Sequence, residues 1–124
     1  MDCPDCGTAM VAFAVPPSLR EHLPGEETAA AVCPSCLALR PAEEPDPNPA
    51  FERFGAAFPT GEGAVPMALL VGLLDSLALH RREIAALLER VERAGVDPLL
   101  VVARLDATPD YDLDRRRHQL EQFL

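Results

Sequence analysis

A chain of 124 residues can hold one small domain, or a metal-stapled module joined to a second small core. Its 20 acidic side chains outnumber 11 basic ones, every basic residue is arginine, and the net charge is -9. In a dilute cytosol that charge argues against nucleic acid, but the absence of lysine, the lone isoleucine at Ile84 and the abundance of Ala, Val and Asp suit a protein working in molar salt; there the Debye length falls to about 3 Å and bulk charge decides little about partners.

The first element in the chain is a short turn, Cys3-Pro4-Asp5-Cys6-Gly7, and it is repeated as Cys33-Pro34-Ser35-Cys36. Two C-x-x-C turns bring four sulfurs onto one tetrahedral Zn²⁺, so Cys3, Cys6, Cys33 and Cys36 are the expected ligands of a single structural zinc. The proline after each leading cysteine fixes φ for the turn, and Gly7 lets the chain leave through a left-handed conformation. The 26 residues between Cys6 and Cys33 exceed the commonest spacing of about 15 to 20, which reads as a longer inter-knuckle loop. Within it, Met10 to Val15 is an apolar run of strand type stopped by Pro16 and Pro17, and Thr28 to Val32 leads back to Cys33. The reading is a hairpin with a metal at its base, a tip from Pro16 to Glu27 that includes one helical turn at Ser18 to Leu23, and a third strand at Leu37, Ala38 and Leu39.

Other readings of the cysteines fare less well. Disulfides need an oxidising compartment, and nothing from Met1 to Met10 resembles a signal peptide; a cytoplasmic location is expected. A thioredoxin-like redox pair follows a strand, and Cys3 has no room for one. His22 could replace a thiolate, but four cysteines already complete a closed site.

Pro41 to Pro49 contains four prolines in nine residues and no apolar periodicity, which predicts a semi-rigid extended linker between a ribbon at 1–40 and a helical domain at 50–124. Phe51, Phe54 and Phe58 fall on one face of a short helix closed by Pro59 and Gly61, and dock the linker's far end onto the helical half. From Pro66 to Leu79 the chain is apolar on nearly all sides, which predicts a central core helix opened by Pro66. The run Ala64 to Leu79 is 16 residues with a charge inside, short of the about 20 that span a bilayer. His80 and Glu83 stand in capping-box positions before the amphipathic stripe Ile84, Leu87, Leu88 and Val91, which Gly95 stops. Asp97-Pro98 starts a short buried helix over Leu99 to Leu105, and a last helix runs from Leu113 to Leu124 with Leu113, Leu120 and Leu124 on one seam. The fold class is therefore α+β: an N-terminal zinc ribbon followed by a small, mostly α-helical half.

Three constellations invite a chemical reading. Asp110, Asp112, Asp114 and Glu121 match calcium-loop positions, but Arg115 stands where the loop needs glycine, so acidic capping of the last helix is the better account. Ser76 and His80 are four residues apart on a helix without an oxyanion loop, which favours a core serine and a cap over a catalytic pair. Arg115-Arg116-Arg117-His118 is the only basic run, read as a solvated face paired with Glu121 rather than a phosphate contact. No phosphate-binding, dinucleotide or zinc-protease motif is present, so the chain does not read as an enzyme.

The two C-P-x-C turns, G-E-x-A-V-P, G-L-L-D-S-L-A-L at Gly72 to Leu79, V-E-R-A-G-V-D-P-L-L at Val91 to Leu100 and R-R-R-H-Q-L-E-Q at Arg115 to Gln122 together resemble a family of small zinc-ribbon proteins of halophilic archaea that has no assigned activity. The resemblance implies zinc on Cys3, Cys6, Cys33 and Cys36 and a cytoplasmic protein without a known substrate. Two functional classes follow. One is a non-catalytic adaptor whose leucine-rich helix and Phe51 to Phe58 face bind a protein partner or a second copy. The other is a nucleic-acid binder using Arg20, Arg40 and Arg115 to Arg117.

Overall fold

The computed structural model describes residues 1–22 and 27–124. Three short strands, β1 (Val11–Ala14), β2 (Ala29–Val32) and β3 (Leu39–Ala42), form an antiparallel sheet in the order β1-β2-β3. The register sets Val11 against Val32 and Phe13 against Ala30, then Val32 against Leu39 and Ala30 against Pro41. Alternation along a strand sends these residues to one face. That face packs on the helices, while Ala12, Ala29, Ala31 and Ala42 pack on the other side with Cys3, Met10 and Cys33. Both faces of β2 and most of β1 are thus buried, which explains why these two strands read as continuous apolar runs, whereas β3 carries Arg40 and Pro41 at the sheet edge.

The expected third strand at Leu37 to Leu39 is corrected to Leu39–Ala42, because Leu37 takes a left-handed φ of 64° that no strand accommodates. The inter-strand tip holds a 3-10 turn, Pro17–His22; the rest of the expected turn, Leu23, lies outside the described residues.

The proline-rich segment does not behave as a free spacer. Its first two residues belong to β3, an edge strand that tolerates Pro41. Asp46 then returns to the opposite edge: its backbone N–H donates to Ala12 O at 3.2 Å, and its carboxylate accepts from Ala12 N at 3.2 Å. One aspartate satisfies both backbone groups of Ala12 on the outer edge of β1, which would otherwise be open there.

Phe51–Phe54 is a single 3-10 turn, shorter than the expected helix, and it packs against both β1 and the helical core. Phe51 lies 5.6 Å from the ring of Phe13 on β1 and 5.9 Å from Phe58, and Phe54 lies 4.8 Å from Phe58. Four helices follow: α1 (Ala64–Leu73), α2 (Arg81–Arg93), α3 (Pro98–Ala103) and α4 (Leu113–Glu121). The apolar α1 sits between α2 and strands β2 and β3. Pro66 occupies its third position rather than its first, where the missing N–H would still have no intrahelical partner. The expected helix to Leu79 stops at Leu73; a 3-10 segment, Leu74–Leu79, continues with a break at Ser76 (φ -117°, ψ 43°) and leaves Leu79 83% exposed.

By length and composition Gly61–Leu79 could cross a membrane, yet 67% of its most apolar window is buried within the protein. Only the 10 residues of α1 are α-helical, a rise of about 15 Å against a hydrocarbon core of about 30 Å.

Ile84, Leu87, Leu88 and Val91 form the buried stripe of α2 as their spacing requires, and Gly95 ends the helix at φ 82°. His80 makes no side-chain cap, so the capping box is not formed. Asp97 caps α3, accepting from Leu99 N at 3.1 Å, with Pro98 at the first helical position. On α4 Leu120 is buried, but Leu124 lies beyond the helix and is 55% exposed.

Residues of the ribbon strands and of the helices pack into one buried cluster. Val11, Phe13, Leu19, Val32 and Leu37 belong to one buried cluster with Phe54, Leu69, Leu74, Ile84, Val101 and Leu120. The sheet and its second knuckle cover the leucine-rich helix within the chain, so Leu69, Leu70, Leu73, Leu74 and Leu77 are all buried and offer no open apolar surface. The same cluster closes the Phe54 and Phe58 face.

Helix and sheet come close at Gly72, where a Cβ would stand 2.7 Å from Leu39 Cβ. Helix propensity alone would make Gly72→Ala stabilising by about 1 kcal/mol. The contact reverses the sign: overpacking against backbone-anchored atoms costs about 1 to 3 kcal/mol, and urea denaturation is expected to show a less stable variant. A variant as stable as the parent would contradict this close approach.

Candidate metal centre

Each C-P-x-C turn is built the same way. In the first, Cys3 N donates to Thr8 O and Gly7 N to Cys3 O, both at 2.8 Å; in the second, Cys33 N donates to Ala38 O at 3.0 Å and Leu37 N to Cys33 O at 2.9 Å. The residue after the last cysteine is left-handed in both, Gly7 at φ 76° and Leu37 at φ 64°. The strand pairing of β1 with β2 sets the two turns side by side at one end of the sheet.

The four Sγ atoms of Cys3, Cys6, Cys33 and Cys36 consequently lie within 4.8 Å of one another. Cys3 Sγ is 3.6 Å from Cys36 Sγ and Cys6 Sγ is 3.4 Å from Cys33 Sγ. Four sulfurs at about 2.3 Å from a tetrahedral zinc are about 3.8 Å apart, so the cluster fits one such ion. These separations exceed the about 2.05 Å of a disulfide, and the thiols are free.

The protein environment divides the thiols. The hydroxyl and backbone N–H of Thr8 and the neighbouring Cys33 thiol pull Cys6 down to about 6. Burial pushes Cys33 up and Cys36 up to about 12. Cys36 N also donates to Cys33 Sγ at 3.4 Å. A divalent cation binding here therefore displaces thiol protons, and its affinity falls as pH falls.

The two knuckles differ in anchorage. Cys33 is 0% exposed, Leu37 is buried in the shared core, and Ser35 O accepts from Thr108 N at 2.7 Å, which ties this knuckle to the helical half. The outer residues of the first knuckle, Pro4, Asp5, Cys6 and Gly7, are exposed. Its outer tether is an ion pair between Asp5 and Arg40 of β3 at 3.0 Å.

The remaining candidates are not drawn into the site. His22 stands apart from the thiols, with Nε2 3.6 Å from Glu21, on a cleft of about 550 Å³ between ribbon and helices. Ser76 and His80 line that cleft without a hydrogen bond between them among the described residues. Asp110 and Tyr111 line it too; burial and then the Asp75 carboxylate push the Tyr111 phenol up, so it stays neutral.

The calcium-loop residues disperse. Asp112 caps α4 by accepting from Arg115 N at 3.1 Å, and Asp114 binds Arg117 at 2.7 Å, which holds its carboxyl below the usual range. Arg117 also reaches Glu121 at 3.9 Å, the expected pairing. Arg116 lies over the Tyr111 ring at 5.5 Å and donates to Asp75 O at 3.3 Å, and Arg20 donates to Val15 O at 3.1 Å. Most of the arginines that a phosphate contact would need are thus engaged within the chain. Sequence reasoning missed Thr8 and Thr108; a hydroxyl two residues after the last cysteine signals the first, and only the tertiary fold reveals the second.

A three-stranded antiparallel sheet with four convergent cysteines at one end, continuous with a helical half, defines a small four-cysteine ribbon protein. The chain belongs to a family of unknown function, DUF6276, which matches residues 2–124. No curated protein and no solved structure matches it.

Proposed function

We propose that this is a non-catalytic zinc-ribbon adaptor: one structural Zn²⁺ on Cys3, Cys6, Cys33 and Cys36 fixes the ribbon, which presents its exposed first knuckle to a protein partner. The observation that carries this reading is the convergence of four Sγ atoms within 4.8 Å, with one knuckle anchored in the core and the other turned outward. When bound, the ion cross-links the two turns. The chain's own residues do the rest: Thr8 and the knuckle N–H groups orient the sulfurs, and the shared core holds the second turn in place. The lysine-free, acidic composition supports a cytoplasm of molar salt as the working environment.

Native mass spectrometry is expected to find one zinc per chain, and Cys33→Ser is expected to lose it. A metal-free, oxidised protein as the native form would overturn the reading. For the partner, a pull-down from lysate in molar KCl with and without nuclease is the test. Protein captured irrespective of nuclease supports the adaptor, whereas capture that depends on RNA or DNA rejects it.

A further inference from the structure

We infer that Cys6 is the thiolate through which the metal centre reacts with small soluble disulfides, and that reaction there releases the ion by linking Cys6 to Cys33. The inference rests on the zinc reading above and adds an order of events to it.

Four thiolates cannot leave a metal at once, so release begins at whichever ligand a reagent reaches. Cys3 is 2% and Cys33 0% exposed, Cys36 is half-buried, and Cys6 is exposed on an outer turn whose neighbours Pro4, Asp5 and Gly7 are exposed as well. The Cys6 knuckle is also the less firmly held. The second knuckle is fastened by Leu37 in the core and by the Ser35–Thr108 hydrogen bond. Outward tethering of the first is the Asp5–Arg40 pair, whose side chains are 58% and 43% exposed, and such pairs contribute little in strong salt. A thiolate's reactivity also needs access, and only the Cys6 sulfur combines access with a neighbouring hydroxyl, Thr8 Oγ1 at 3.4 Å.

The chemistry then balances in two exchanges. Cys6 thiolate attacks one sulfur of a disulfide R–S–S–R, forming a Cys6–S–S–R bond and expelling one RS⁻. The ion has lost a ligand. Cys33 Sγ, 3.4 Å from Cys6 Sγ, attacks the Cys6 sulfur of the mixed disulfide, forms the Cys6–Cys33 bond and expels the second RS⁻. The protein pair is oxidised, the reagent is reduced to two thiolates, and the ion keeps only Cys3 and Cys36. The bridge therefore forms across the knuckles, not within one.

The test uses full-length protein shown beforehand to carry one zinc, treated with oxidised glutathione in the presence of a zinc-sensitive dye and mapped by peptide mass spectrometry at early times. The expected result is glutathione on Cys6 first, a Cys6–Cys33 bridge next, and zinc release in step with the bridge. Cys6→His supplies a nitrogen ligand, so it keeps the zinc yet should release it at least about tenfold more slowly under the same reagent. First modification at Cys36 or Cys3, a Cys3–Cys6 or Cys33–Cys36 bridge as the main product, or release from Cys6→His as fast as from the parent would each overturn the inference while leaving the zinc reading intact. Absence of zinc in the starting protein would overturn that reading instead, and this one with it.

Discussion

Chelating the zinc from protein loaded with one ion is expected to unfold the whole chain in one transition, with the helical circular dichroism lost together with the ribbon. A ribbon on a flexible tether would behave otherwise, since its helices would survive chelation. Here Phe13, Val32 and Leu37 belong to the same buried cluster as Leu69, Leu74 and Ile84, so the sheet forms one wall of the helical core. Structural zinc in small ribbons contributes an apparent free energy of about 10 kcal/mol or more near neutral pH. The net stability of a domain this size is about 5 to 15 kcal/mol, so losing the ion removes most or all of it. Once the knuckles separate, Leu37 and the strand residues leave the core and α1 loses the surface that buries it. The measurement is far-ultraviolet circular dichroism across a chelator titration, with zinc added back. Retention of most of the helical signal in the chelated protein would show that the shared core is dispensable.

The same packing explains what was and was not legible in the sequence. The four cysteines, the first two strands, the α2 stripe and the Asp97-Pro98 start were all readable, because each rests on local chemistry: a spacing, a period, a cap. Three features were not. Asp46 reads as one more linker residue, and its role on Ala12 depends on the chain doubling back across 34 positions. The break at Ser76 interrupts an apolar run whose composition favours a longer helix, and the guanidinium of Arg116 on Asp75 O is a contact from the far end of the chain. The proline-rich segment reads as a boundary because prolines disfavour regular structure; the open edge of β1, invisible in one dimension, gives that segment a place to dock. Composition therefore reports the local conformation of the segment, while the strand edge on which it docks is set by the tertiary fold.

Leu37 yields the sharpest stability prediction. The two knuckles share a backbone, and the left-handed position that glycine fills in the first is filled by leucine in the second, at φ 64°. A non-glycine residue there costs about 1 to 2 kcal/mol. The side chain is 1% exposed in the shared core, and burying a leucine is worth more than that strain. Leu37→Ala is therefore expected to lose about 2 to 5 kcal/mol, because it opens a cavity and keeps the strained backbone. Leu37→Gly opens a slightly larger cavity but removes the strain, so it is expected to be the more stable of the two by about 1 kcal/mol, although glycine also loosens the unfolded chain. That order inverts the usual ranking of alanine above glycine at ordinary backbone positions. Denaturant unfolding of both zinc-loaded variants decides it: an alanine variant equal to or more stable than the glycine variant would mean that Leu37 is not held in the left-handed conformation, and that the two knuckles are not built alike.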